Sequence, residues 1–139
     1  MAERGFTLLE LLVVLVVMAL VIAAVPVVLS GGVSGLALKA DARAVANALR
    51  HARGRAIVLN DEVVFTIDDA TRRYAVTPGE RAGVLADGTE VSVEPKSAAG
   101  AIRFFADGGS TGGRVTISRD RRRYELRIDW LTGRVSIDQ

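Results

Sequence analysis

The chain has 139 residues, half of them apolar, with no cysteine, one histidine and a formal net charge of +2. That length holds one soluble domain and one membrane segment. The lack of cysteine excludes disulfides and thiolate chemistry, and leaves the redox compartment unread. Charge is segmented along the chain. Five basic residues stand against Asp41 between Lys39 and Arg55, and eight acidic residues stand against three arginines between Asp61 and Glu94. Seven arginines then face three acids between Arg114 and Arg134. Such segments read as solvated faces, or as charged faces that order subunits in an assembly.

The first ten residues are Met-Ala-Glu-Arg-Gly-Phe-Thr-Leu-Leu-Glu, and Leu11 to Leu29 contains no charged residue and no Ser, Thr, Asn or Gln. Those 19 residues make a helix of roughly 28 Å, matched to a hydrocarbon core of about 30 Å. Met18 lies inside this run and is no ligand candidate. A secretory signal peptide has a shorter apolar stretch, although Ala23-Ala24 imitates its cleavage site. Neither that reading nor a plain membrane anchor accounts for Glu10, because a carboxylate at a membrane helix end is costly unless it meets water or a partner. If the chain is cut after Gly5, Phe6 becomes the N-terminus and its amine lies one turn from Glu10. An ion pair then forms within the chain or with a neighbour displaced along the helix. Pro26 removes a backbone hydrogen bond and predicts a kink or local melting.

Ser30-Gly31-Gly32 and Ser34-Gly35 form a patch that loosens the helix. The helical pattern then resumes. Leu38, Ala42, Val45, Leu49, Ala52 and Ala56 recur at three- and four-residue steps and make one apolar stripe for a sheet to cover. From Glu62 onward the pattern becomes short strands: 63–67, 73–77, 90–94, 102–105, 114–118, 123–128 and 134–137. Asp68-Asp69-Ala70-Thr71 reads as a hairpin turn between the first two, and Thr132-Gly133 as the last turn. The predicted class is α+β: a long N-terminal helix, membrane-spanning in its first half and amphipathic in its second, packed on an antiparallel β-sheet or sandwich.

Gly5-Phe6-Thr7-Leu8-Leu9-Glu10 ahead of an apolar run resembles the class III signal of type IV pilins and pseudopilins. Phe104 to Gly113, Arg121-Arg122-Arg123-Tyr124 and Trp130 to Val135 resemble the C-terminal region of the H-type minor pseudopilins of type II secretion. The resemblance implies cleavage between Gly5 and Phe6 by the prepilin peptidase, N-methylation of Phe6, and an assembly role for Glu10, which matches the family's glutamate at the fifth mature position. It implies the division 1–5 leader, 6–29 transmembrane and filament-core helix, 30–60 loose patch and amphipathic helix, and 61–139 periplasmic β domain. Arg4 suits a cytoplasmic N-terminus, and Glu3 weakens that cue. The implied partners are other major and minor pseudopilins, the prepilin peptidase, the inner-membrane assembly platform, and membrane lipid before assembly. The implied place is the inner membrane, single-pass, and then the periplasmic pseudopilus.

No enzyme site, cofactor or metal centre is expected. The glycine-rich stretch Asp107 to Gly113 lacks the lysine and hydroxyl pair of a phosphate loop and precedes a strand, so it reads as a flexible loop between strands, which the resemblance implies is open to a neighbouring subunit. His51 has no second histidine and is expected on the wet helix face. Asp68-Asp69 matches no calcium loop. The alternative function rests on Arg119, Arg121, Arg122 and Arg123, a basic cluster able to contact nucleic-acid phosphates in a minor type IV pilin active in pilus biogenesis or DNA uptake. Asp120, Glu125 and Asp129 dilute that cluster, and nucleic acid is not the expected partner.

Overall fold

A computed structural model of the chain describes residues 6–79, 81–94 and 101–139, with residues 24–34 described by backbone alone. Helix α1 (Leu8–Leu59) is followed by β1 (Val63–Asp68), β2 (Arg73–Thr77), β3 (Ala82–Val84) and β4 (Glu90–Glu94). Then come β5 (Ala101–Phe104), β6 (Gly113–Arg119), β7 (Arg122–Ile128) and β8 (Val135–Asp138). This is the α+β class expected from the sequence. The strands form two four-stranded antiparallel sheets, ordered β3-β2-β1-β5 and β4-β6-β7-β8. The chain divides into two compact units, 1–34 and 35–139.

In the larger unit the helical stripe is the core. Leu38, Ala42, Val45, Leu49, Ala52 and Ala56 are all at most 1% exposed, so the 3.6-residue period identified the buried face. Ala46 and Ala48 are buried as well, which widens that face beyond a single row. Alternation along the strands supplies the partners: Val63, Phe65 and Ile67 from β1, Ile102 and Phe104 from β5, Val115 and Ile117 from β6, and Leu126 and Ile128 from β7. Both sheets and the helix join one hydrophobic cluster.

Three expectations need correction. Strand β3 has no alternating pattern and was not expected. It forms because Gly83 has no side chain: a Cβ there would strike the Tyr74 ring, which lies across the glycine and stacks on Phe65 with centroids 6.1 Å apart. The backbone of α1 is helical through Pro26, without the local melting expected there. His51, expected on the wet face, is half-buried.

Candidate functional site

Chemistry in the shorter unit begins with the helix entry. Thr7 caps it: the Glu10 N–H donates to Thr7 Oγ1 at 3.3 Å, and the Leu11 N–H to the Thr7 carbonyl at 3.2 Å. Threonine followed three residues later by glutamate is the capping-box spacing, a signal in the sequence that places the helix start at Thr7. The Glu10 side chain is exposed and has no ion pair among the described residues. Phe6 is 81% exposed, and Gly5 lies outside the described residues. From Phe6 to Ile22 every large apolar side chain is more than half exposed, a surface far beyond what water tolerates without a lipid or protein cover. Of the apolar run, Leu11 to Ala23 is described with side chains, only about 20 Å of helix. Among the described residues no helix is long and apolar enough to cross a membrane.

In the larger unit the glycine-rich stretch is pinned, not flexible. Gly108, Gly109, Ser110 and Gly112 are buried. Arg53 Nε, from α1, donates to the Gly108 carbonyl at 3.2 Å. The Ser110 N–H donates to the Trp130 carbonyl at 2.8 Å, the Ser110 hydroxyl to the Asp129 carbonyl at 3.0 Å, and the Gly112 N–H to the Ser110 hydroxyl at 3.0 Å. Asp107 and Asp129 close the two turns: Asp107 accepts from the Gly109 N–H, while Asp129 accepts from the Leu131 and Thr132 N–H groups and the Thr132 hydroxyl. Hydrogen bonds from the Thr132 backbone and side chain hold the Asp129 carboxyl below the usual carboxylate range. With its amides and carbonyls engaged by protein, the stretch is a joint between helix and sheet, and offers no phosphate cradle.

Beside the joint lies an open groove of about 760 Å³, lined among others by Glu94, Arg114, Arg127, Trp130 and Arg134. Two of its arginines are paired with a neighbouring glutamate. Glu125 meets Arg127 at 2.8 Å and Arg114 at 3.0 Å, and the Arg127 bond keeps the glutamate below its ordinary range. Asp68 is a turn residue as read: it accepts from the Ala70 and Thr71 N–H groups, and the Thr71 contacts lower its pKa. Among the described residues no three of His, Asp and Glu gather as a metal site. Arg119, Arg121, Arg122 and Arg123 flank the two-residue turn between β6 and β7, where Arg119 is registered against Arg122 and Arg123 falls on the opposite face of the sheet.

Residues 41–133 match the family described as Type II transport protein GspH. The chain belongs to that family. Residues 1–26 match the prokaryotic N-terminal methylation motif. Type II secretion system protein H of Xanthomonas campestris pv. campestris is 37% identical over 138 residues, covering 95% of this chain and 81% of the relative. Membership thus agrees with the resemblance read from the sequence: an H-type minor pseudopilin, in a family of structural subunits. The solved structures share the fold. The type IV minor pilin FimU of Pseudomonas aeruginosa aligns with a TM-score of 0.62 at 15% identity, over 73% of this chain and 88% of that one. The minor pseudopilin EpsH from the type 2 secretion system of Vibrio cholerae aligns with a TM-score of 0.60 at 15% identity, over 71% and 94%. Pilus and secretion subunits both appear, so the fold alone does not choose between those systems.

Proposed function

We propose that this chain is a minor pseudopilin of a type II secretion pseudopilus, helping to assemble the filament that drives folded proteins across the outer membrane. The observation that carries the reading is the pairing, in one chain, of the methylation motif at 1–26 with the GspH match at 41–133. The precursor sits in the inner membrane on the run Leu11–Leu29, with its N-terminus in the cytoplasm and the unit 35–139 in the periplasm. Prepilin peptidase cuts between Gly5 and Phe6, and Phe6 is N-methylated. Glu10 pairs with the new amine of a neighbouring subunit as the helix leaves lipid for the filament. The capped, solvent-facing first turn supports this, because the carboxylate is held at the helix surface with no partner of its own among the described residues.

Deletion of the gene in its native host tests the proposal. Secreted hydrolases are expected to accumulate in the periplasm, with DNA uptake and surface motility unchanged. Normal secretion with loss of transformation or motility would overturn the secretion reading and assign the chain to a type IV pilus.

A further inference from the structure

The arginines of the larger unit differ in what they face. Arg72, Arg103, Arg114 and Arg127 each meet a carboxylate, at 2.6 to 3.8 Å. Arg119, Arg121, Arg122 and Arg123, like most arginines of the unit, form no ion pair among the described residues; the last three are exposed, and Arg123 acts on Glu125 only at longer range. Nearby acids are mostly engaged elsewhere. Asp87 is paired with Arg72, Glu125 with Arg114 and Arg127, and Asp41 accepts from the Ala86 N–H and the Thr89 hydroxyl. Asp120 in the turn and Glu90, registered against Ser118, remain. The turn therefore carries a net positive charge.

Its place in the unit is fixed by two glycines. The Arg122 guanidinium occupies the space beside Gly35 that a Cβ would fill, and the Arg119 guanidinium lies 3.7 Å from the Cβ position of Gly88. Gly35 follows Leu29, the last residue of the apolar run, by six positions. Those six residues span about 9 Å as helix and no more than about 20 Å fully extended. The polar head groups of a bilayer occupy about 5–8 Å outside each face of its hydrocarbon core. Chain length thus tethers Gly35, with Arg122 beside it, within about 9 to 20 Å of the hydrocarbon boundary whenever Leu11–Leu29 spans.

We infer that the β6–β7 turn, with Arg119, Arg121, Arg122 and Arg123, docks on anionic phospholipid head groups of the membrane holding the unassembled subunit. The inference rests on the membrane reading proposed above. Guanidinium forks match phosphodiester oxygens in charge and geometry, and basic residues beside a membrane span are drawn to anionic surfaces. Nucleic acid fits the same charge less well. The adjacent aromatic, Tyr124, is half-buried and its hydroxyl accepts from Gln139, so no free ring stands in the cluster for base stacking.

The test uses the full chain in lipid nanodiscs, of phosphatidylcholine alone or with phosphatidylglycerol, read by amide hydrogen exchange. The Asp120 and Arg121 amides are expected to exchange about fivefold more slowly in the anionic discs, the factor given by one arginine's attraction to an anionic surface. The slowing is expected to vanish in the triple variant Arg121→Gln, Arg122→Gln, Arg123→Gln, and to shrink in half-molar salt through screening. Equal exchange in both discs, with the chain retained by both, overturns the lipid inference and leaves the membrane reading standing. A chain retained by neither disc overturns the membrane reading and this inference with it. Protection of the turn by an added DNA duplex but not by phosphatidylglycerol overturns the inference in favour of a nucleic-acid site.

Discussion

Asp41 shows how a single side chain is misjudged when only its neighbours in sequence are visible. In the chain it is the lone acid among five basic residues between Lys39 and Arg55 and reads as a solvated charge. In the fold it is buried. Its carboxylate accepts from the Ala86 N–H at 3.1 Å and the Thr89 hydroxyl at 2.8 Å, tying α1 to the connection between β3 and β4. Asp41→Ala strands a Thr89 hydroxyl that is 2% exposed. The expected loss of stability is about 1–3 kcal/mol, because an unsatisfied buried polar group keeps its desolvation cost. Urea unfolding of the full chain in detergent checks this, with a lower midpoint and an unchanged slope. Asp41→Asn retains an acceptor and is expected to lose less. An alanine variant as stable as the parent would mean that the bonds from Ala86 and Thr89 contribute nothing.

At the scale of elements, the turns closed by Asp68 and Asp129 tie stability to pH. The Asp129 carboxyl is lowered by Thr132, and Asp68 by Thr71. A carboxylate whose folded pKa lies below its unfolded one contributes fully above the unfolded value, about 4, and loses that contribution as pH falls through the folded value. The thermal midpoint is therefore expected to vary little between pH 7 and 5 and to fall below about pH 4. Asp129→Ala is expected to melt earlier than the parent at pH 7, by a gap that narrows as the pH falls below about 4. Circular-dichroism melts across that range decide it, and a gap as wide at pH 3 as at pH 7 would refute the assignment to the carboxylate. These elements also mark what could be read beforehand. The helix stripe and most strands were legible because burial imposes periods of 3.6 and 2. The joint at Gly108 was not, since its rigidity comes from Arg53, 55 positions away, and from Trp130 and Asp129 across the sheet. Glycines in sequence suggest freedom. In the fold they make room: a Cβ on Gly133 would strike the Gly108 carbonyl, and its φ of 61° suits glycine. β3 escaped for the same reason, because Gly83 looks like a gap until Tyr74 is seen lying over it.

At the scale of the whole molecule the two units have different solvents. The unit 35–139 buries its own core, while Phe6 to Ile22 presents apolar side chains with nothing from the chain covering more than half of any large one. Lipid and other helices are the two covers available, and in the function proposed above Glu10 acts in the passage from one to the other. Before cleavage the Phe6 nitrogen is an uncharged peptide amide, so the carboxylate has no cation one turn away. After cleavage the amine, with a usual pKa near 7.7–8.0, is largely protonated at neutral pH, and methylation keeps the charge. An ion pair in this apolar setting is strong once formed, and a carboxylate left without one is costly. That asymmetry favours docking at the register where each Glu10 finds a neighbour's amine. Glu10→Val removes the partner while leaving Gly5 and Phe6 for the peptidase. Mass spectrometry is expected to find the variant cut and methylated as usual, whereas filament fractions are expected to lack it and secretion to fall with it. Glu10→Asp keeps the charge on a shorter arm and is expected to assemble partially. A Glu10→Val subunit recovered in filaments at the parental level would show that helix packing alone sets the register and that the carboxylate has no part in it.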